Sequence, residues 1–369
     1  MQNKLFIKQS LVILLLILLV GLPSYVIYQY RVMSPTNNDY ETHIEVVQSY
    51  LTDEPVPKDF LLHPILQFLL IGISWVTFGV VDYQEGMILI LVASNVLLAL
   101  IIYGWFGKSQ SKHGNWLRVF WACTLPFITP IMVLAVLDHR FYFGYIALAN
   151  YHNPTIQLLR PFALLLFILA VCIFSKQKSS IRMLISGALL TVFTALIKPN
   201  LILCLIPALL ILCLWQIIQK MECDRRLLIF GFLLPAALIL SWQYSIQFGQ
   251  GSNSDASILF APLAVEGRVS NFLWLKILLS LFFPLVILIL NAKEILSSNA
   301  LKLAWLTFLA GAAQLYLFAE GGQEFKAANF RWGAQIGLFL LFIATARFVY
   351  LKTINGHQLT RKKVTSFLV

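Results

Sequence analysis

Lys198, in Ala195-Leu196-Ile197-Lys198-Pro199-Asn200, is the only charged residue between positions 183 and 218 of an otherwise apolar stretch. An ammonium in such surroundings needs a polar partner, and the proline after it removes a backbone N–H and breaks the helix. The pattern predicts a hairpin tip that presents a cation to an anionic ligand at a membrane surface. Asp39 and His43 lie four positions apart, a spacing that puts both on one helix face. A carboxylate there can accept a hydroxyl proton as a new bond forms, with the imidazole orienting it or the acceptor. Asp138 is a further catalytic candidate, and His63, His152, Asn153, Arg160, Glu320, Arg331 and Trp332 are candidates for holding a substrate. Arginine can grip phosphate oxygens through two parallel hydrogen bonds, and tryptophan stacks on sugar faces.

Membrane helices are expected to position these groups. Hydrophobic residues make up 59% of the 369 and charged residues 12%, and apolar runs of spanning length recur throughout, which predicts an all-α polytopic membrane protein. A soluble helical protein has amphipathic stripes, and an outer-membrane barrel has short alternating segments; neither pattern is present. The runs place spans at 9–30, 86–106, 117–137, 157–175, 183–197, 200–218, 228–246, 271–291, 303–319 and 332–351, about ten in all, or eleven if 61–80 also crosses. Treating 61–80 as an interfacial helix keeps most Lys and Arg on the cytoplasmic side, most acids outside and both termini inside. The net charge of +11 then reflects topology and membrane lipids, with no nucleic-acid partner. The run 11–30 follows Lys4 and Lys8 but is too long for a signal peptide, so it reads as a retained anchor. Four cysteines fall inside expected spans and Cys223 in a basic loop, so neither a disulfide nor a sulfur-bound metal is expected.

In this topology the outer face collects the reactive groups. Within the first outer loop, 31–85, Tyr40, Ile44, Val47 and Leu51 recur at helical spacing, predicting an amphipathic surface helix from Asp39 to Leu51. Leu62-His63-Pro64 opens the interfacial helix, where proline's missing N–H costs nothing. Asn153-Pro154-Thr155 reads as a turn ahead of a span, and its proline forbids glycosylation. Residues 249–254 read as a flexible outer loop, since no strand precedes them to build a phosphate cradle.

The order of these elements resembles the GT-C membrane glycosyltransferases: Asp39 after the first span, His63-Pro64 opening an interfacial helix, Asp138 after the third span and Ile197-Lys198-Pro199 between the fifth and sixth. The resemblance covers residues 1–220, a GT-C-like module, with 221–369 supplying additional C-terminal helices. It implies transfer of a sugar from a polyprenyl-phosphate donor to the hydroxyl of a glycan, lipid or protein acceptor on the extracytoplasmic face of a bacterial cell (inner) membrane. On this resemblance Asp39 is the base and Lys198 binds the lipid phosphate. A divalent cation among Asp39, Asp138 and Glu320 is compatible with the donor set but not demanded by it. The sequence departs from the pattern where an Asp-Glu pair would stand at Asp39 and where a second proline would follow Pro64. Two other classes use similar chemistry. A polymerase or ligase of lipid-linked glycans would carry a large outer loop rich in Arg and His, whereas the longest one here is acidic. A transporter or flippase would carry inverted repeats and several broken helices, whereas a single break is evident.

Overall fold

A computed structural model of the chain describes residues 2–34, 39–52, 54–107, 112–139, 142–148, 151–175, 178–248, 257–322, 325 and 328–354; at 2–9, 59, 112, 113 and 138 it describes the backbone alone. A long first helix, α1 (Gln2–Val32), leads to three short ones, α2 (Asp39–Leu51), α3 (Lys58–Leu62) and α4 (Ile65–Val76). Then come α5 (Tyr83–Phe106), α6 (Lys112–Thr124), the single turn α7 (Ala135–Asp138), α8 (Pro154–Cys172), α9 (Ile181–Ile197) and α10 (Asn200–Ile218). A π-helical turn, Leu227–Leu233, runs into α11 (Leu234–Phe248), followed by β1 (Ile258–Phe260), α12 (Leu273–Leu290), α13 (Ala292–Ser297), α14 (Asn299–Leu317), β2 (Phe318–Glu320) and α15 (Arg331–Ile354). Asp82, Asn153, Ser180 and Ser298 start α5, α8, α9 and α14 by accepting a hydrogen bond from the backbone N–H three residues on, as short polar caps do.

The protein is an all-α polytopic membrane protein in architecture. Among the described residues, eight helices are long and apolar enough to cross a bilayer: the Ser10–Val32 part of α1, α5, α8, α10, the continuous Leu227–Phe248 helix, α12, α14 and α15. Helix α9 is apolar but shorter. The expected span 117–137 is not one helix. Its chain is α-helical to Thr124, turns through Leu125–Phe127 and leaves helical geometry at Ile128, because Pro126 and Pro130 cannot donate to the helical ladder. The region 61–80 divides at His63 and Pro64, and its longer part, α4, has 12 residues. At 1.5 Å per residue that is about 18 Å, against the roughly 30 Å of a bilayer core. Trp75 and Val76 at its end are 72% and 80% exposed. The all-helical expectation also missed a small antiparallel ribbon, in which Ile258 pairs with Glu320 and Phe260 with Phe318.

Two features of the packing fix the interior. Helices α14 and α15 cross with backbones in contact: a Cβ at Gly311 would lie 2.5 Å from the Gly333 carbonyl oxygen, and one at Gly337 would lie 2.9 Å from Phe308 Cα. Small residues permit such approaches between membrane helices. Helix α15 is buried along most of its length, so this second group of helices forms part of the same core as α8 and α10. The other feature is a buried polar strip. Asn95 Nδ2 donates to Ser24 Oγ at 3.1 Å and Tyr28 Oη at 3.2 Å, Tyr28 donates to Gln157 Oε1 at 3.3 Å, and Arg160 donates to the same oxygen at 2.9 Å. These side chains join α1, α5 and α8 by hydrogen bonds that gain strength away from water.

Candidate functional site

The ends of α9 and α10 create the site. Lys198 is extended (φ −168°, ψ 123°) and ends α9, its N–H donating to Thr194 O at 2.9 Å. Pro199 immediately begins α10, so the expected tip is present and the Lys198 side chain leaves it into a cavity of 460 Å³. There the ammonium donates to Thr155 Oγ1 at 3.3 Å and sits 4.8 Å from the centre of the Trp332 ring.

Thr155 continues the contact towards Asp39. Its hydroxyl donates to Asn153 Oδ1 at 2.6 Å, and Asn153 Nδ2 donates to Asp39 Oδ2 at 2.8 Å. A chain of side-chain hydrogen bonds thus runs Asp39–Asn153–Thr155–Lys198. His152 Nε2 lies 3.5 Å from the other Asp39 oxygen, and both side chains are partly exposed. Helix α2 covers Asp39 to Leu51 as the pattern predicts, and Tyr40 anchors it by donating to Tyr151 O at 2.6 Å. Its buried face is rotated from the expected one: His43 and Val46 are buried, whereas Leu51 is 47% exposed.

His43 and His63 line the cavity beside Lys198. His43 Nδ1 and Gln67 Nε2 are hydrogen-bonded at 2.8 Å, and Phe60 meets the ring edge-on at 5.0 Å. Burial, then the Lys198 charge, then His63 lower the His43 pKa to about 3. Burial, then Lys198, lower that of His63 to about 4, against the opposing pull of the Leu62 and Ala195 carbonyls. Both imidazoles are therefore neutral near pH 7, leaving the local positive charge to the lysine.

Glu320 lines the same cavity from the end of β2. Asn329 Nδ2 donates to its Oε2 at 2.7 Å, and Asn200 Nδ2 donates to Asn329 O at 3.0 Å. The Lys198-Pro199-Asn200 elbow is thus bonded on one side towards Asp39 and on the other towards Glu320. Gln243 closes the wall, its Nε2 donating to Leu62 O and Ala195 O at 3.0 Å each. Phe60, Leu203, Leu240, Phe248, Ile258 and Phe330 make much of the remaining lining apolar.

The structure thus gathers Lys198, His43, His63, Glu320 and Trp332 around one cavity, while Asp39, His152 and Asn153 adjoin it through Thr155. The two arginines expected to bind substrate are placed elsewhere. Arg160 is fully buried, donates to Pro126 O at 2.8 Å and lies 4.3 Å over the Phe339 ring. It satisfies a carbonyl freed by the helix break, a need that is acute where no water reaches. Arg331 is paired with Glu266 at 2.6 Å, and the Glu266 side chain is 2% exposed. The side chain of Asp138 lies outside the described residues. Thr155, Asn200, Gln243 and Asn329 were not among the residues read from sequence as site candidates. A glutamine in an apolar run such as Gln243 is a readable signal; the others gain meaning from partners distant in the chain.

A cation, a carboxylate, neutral imidazoles and an aromatic face around a half-apolar cavity can hold an amphiphilic anion that also carries hydroxyl groups. Among the described residues no three His, Cys, Asp or Glu side chains come together as a metal site. Comparison with known proteins gives no match to a family model, a curated protein or a solved structure.

Proposed function

We propose that the protein is a membrane glycosyltransferase that moves a sugar from a polyprenyl-phosphate donor to an acceptor hydroxyl on the extracytoplasmic face. The observation that carries this reading is the placement of Lys198 at a helix break, in a cavity that is apolar on much of its wall and bears a carboxylate and Trp332. Lys198 neutralises the phosphate, whose oxygen keeps the electron pair when its bond to the anomeric carbon breaks. The acceptor oxygen forms the new bond to that carbon, and Asp39 takes the proton the oxygen releases. The lipid phosphate then returns to the bilayer, and Trp332 and Glu320 hold the sugar by stacking and by accepting hydroxyl hydrogens. Support for Asp39 as the base comes from its bond to Asn153 and its position one turn from His43, a cavity residue.

Purified protein in lipid vesicles, supplied with polyprenyl-phosphate hexoses and pentoses carrying a labelled sugar, tests the reading. Transfer to an added acceptor is expected with at least one donor, lost in Lys198→Met and reduced on the order of 100-fold or more in Asp39→Asn. An Asp39→Asn protein that transfers as fast as the unaltered chain removes the catalytic role of Asp39.

A further inference from the structure

We infer that Asn153 and Thr155 are positioning residues that hold the Lys198 ammonium and the Asp39 carboxylate at a set separation, so that phosphate and incoming hydroxyl are aligned together; this rests on the glycosyltransferase reading. Asn153 divides its amide between two tasks. Its Oδ1 caps α8, accepting from Ile156 N at 3.1 Å and from Thr155 Oγ1 at 2.6 Å. Its Nδ2 points the other way and donates to Asp39 Oδ2 at 2.8 Å. The backbone donor on one side and the carboxylate on the other fix which atom is oxygen and which nitrogen.

Capping explains the oxygen but not the nitrogen, since a serine or aspartate at the same position would cap equally well. Nor does capping explain why the Thr155 hydroxyl, buried at the cavity wall, also accepts from Lys198 at 3.3 Å. Lysine is a point charge on a flexible four-carbon stem and sets no direction of its own. A hydroxyl fixed in the first turn of α8 supplies one. Because that hydroxyl is bonded to Asn153, and Asn153 to Asp39, the two charged groups of the proposed reaction are referenced to one rigid helix start. Arrangements of this kind favour reaction by holding the partners near the attacking geometry before binding.

Two substitutions separate positioning from capping. Asn153→Ser keeps a cap and loses the donor to Asp39; Thr155→Val keeps the volume and loses the hydroxyl, and Thr155→Ser restores it. Binding of farnesyl phosphate to purified protein in detergent is expected to weaken about five- to tenfold in Thr155→Val and to recover in Thr155→Ser. Asn153→Ser is expected to lower kcat for transfer about tenfold with donor KM little changed. Thermal unfolding of each variant identifies any that fail to fold, and the serine variants keep the test open in that case. If Lys198→Met abolishes farnesyl phosphate binding while Thr155→Val and Asn153→Ser behave as the unaltered chain does, the positioning role is overturned and the transferase reading stands. If the unaltered chain neither binds the lipid phosphate nor transfers sugar, both fall.

Discussion

The ammonium of Lys198 lies 4.8 Å from the centre of the Trp332 ring, so the proposed anion-binding cation rests against an aromatic face contributed by the first turn of α15. A cation–π contact of a partly buried lysine is worth on the order of 1 kcal/mol. Trp332→Leu is therefore expected to weaken farnesyl phosphate binding roughly fivefold, and Trp332→Phe much less. Equal affinities for the Leu variant and the unaltered chain, in a titration at fixed salt, would show that Trp332 serves the fold alone.

The two cavity histidines give stability a defined pH dependence. Their folded pKa values, about 3 for His43 and about 4 for His63, lie below the ordinary 6.5. Between pH 6.5 and those values the unfolded chain binds protons at these positions that the folded chain does not. Stability should therefore fall as pH drops through that window, and these groups should contribute no change above it. Thermal unfolding in detergent, compared between the unaltered chain and His43→Asn, should show a shallower acid loss in the variant. Parallel curves would mean that His43 is not held neutral by burial.

Arg331 and Glu266 form a buried pair, with side chains 16% and 2% exposed. Removing one partner strands a charge and costs about 3–5 kcal/mol, whereas removing both costs much less. Arg331→Gln is expected to lower the unfolding temperature sharply, and Arg331→Gln with Glu266→Gln to regain most of it. Donor affinity in the folded double variant should stay near that of the unaltered chain, because Arg331 serves this pair and does not line the cavity.

Arg160 offers a parallel contrast. Its guanidinium bonds to Gln157 and to the Pro126 carbonyl, so Arg160→Met leaves a buried carbonyl unpaired at a cost of about 1–3 kcal/mol. The expected result is a less stable protein with unchanged KM for the lipid donor. A raised KM without loss of stability would return Arg160 to the substrate site.

What could be read from sequence follows from the range of the forces involved. The long apolar helices and the extent of the helix from Asp39 to Leu51 depend on local periodicity, and the Lys198 tip depends on a lone charge beside a proline. All of these were legible. The break after Thr124 was present in Pro126 and Pro130 but masked by apolar neighbours that resemble a span. Arg160 was misread because the carbonyl it satisfies lies 34 residues away, and Arg331 because Glu266 lies 65 residues away. The same holds for His43, read as a face residue near Asp39 but turned inward to Gln67. Sequence spacing specifies helix faces, whereas the choice of which face is buried belongs to tertiary packing.

The central claim is that the cavity at Lys198 holds an isoprenoid phosphate. A cryo-electron microscopy structure of the purified protein with farnesyl phosphate tests it most directly. The phosphorus is expected within about 4 Å of Lys198 Nζ, between Thr155 and Trp332, with the prenyl chain along Leu240 and Phe248. A map in which the phosphate is well ordered elsewhere, with the Lys198 cavity holding solvent alone, would contradict it.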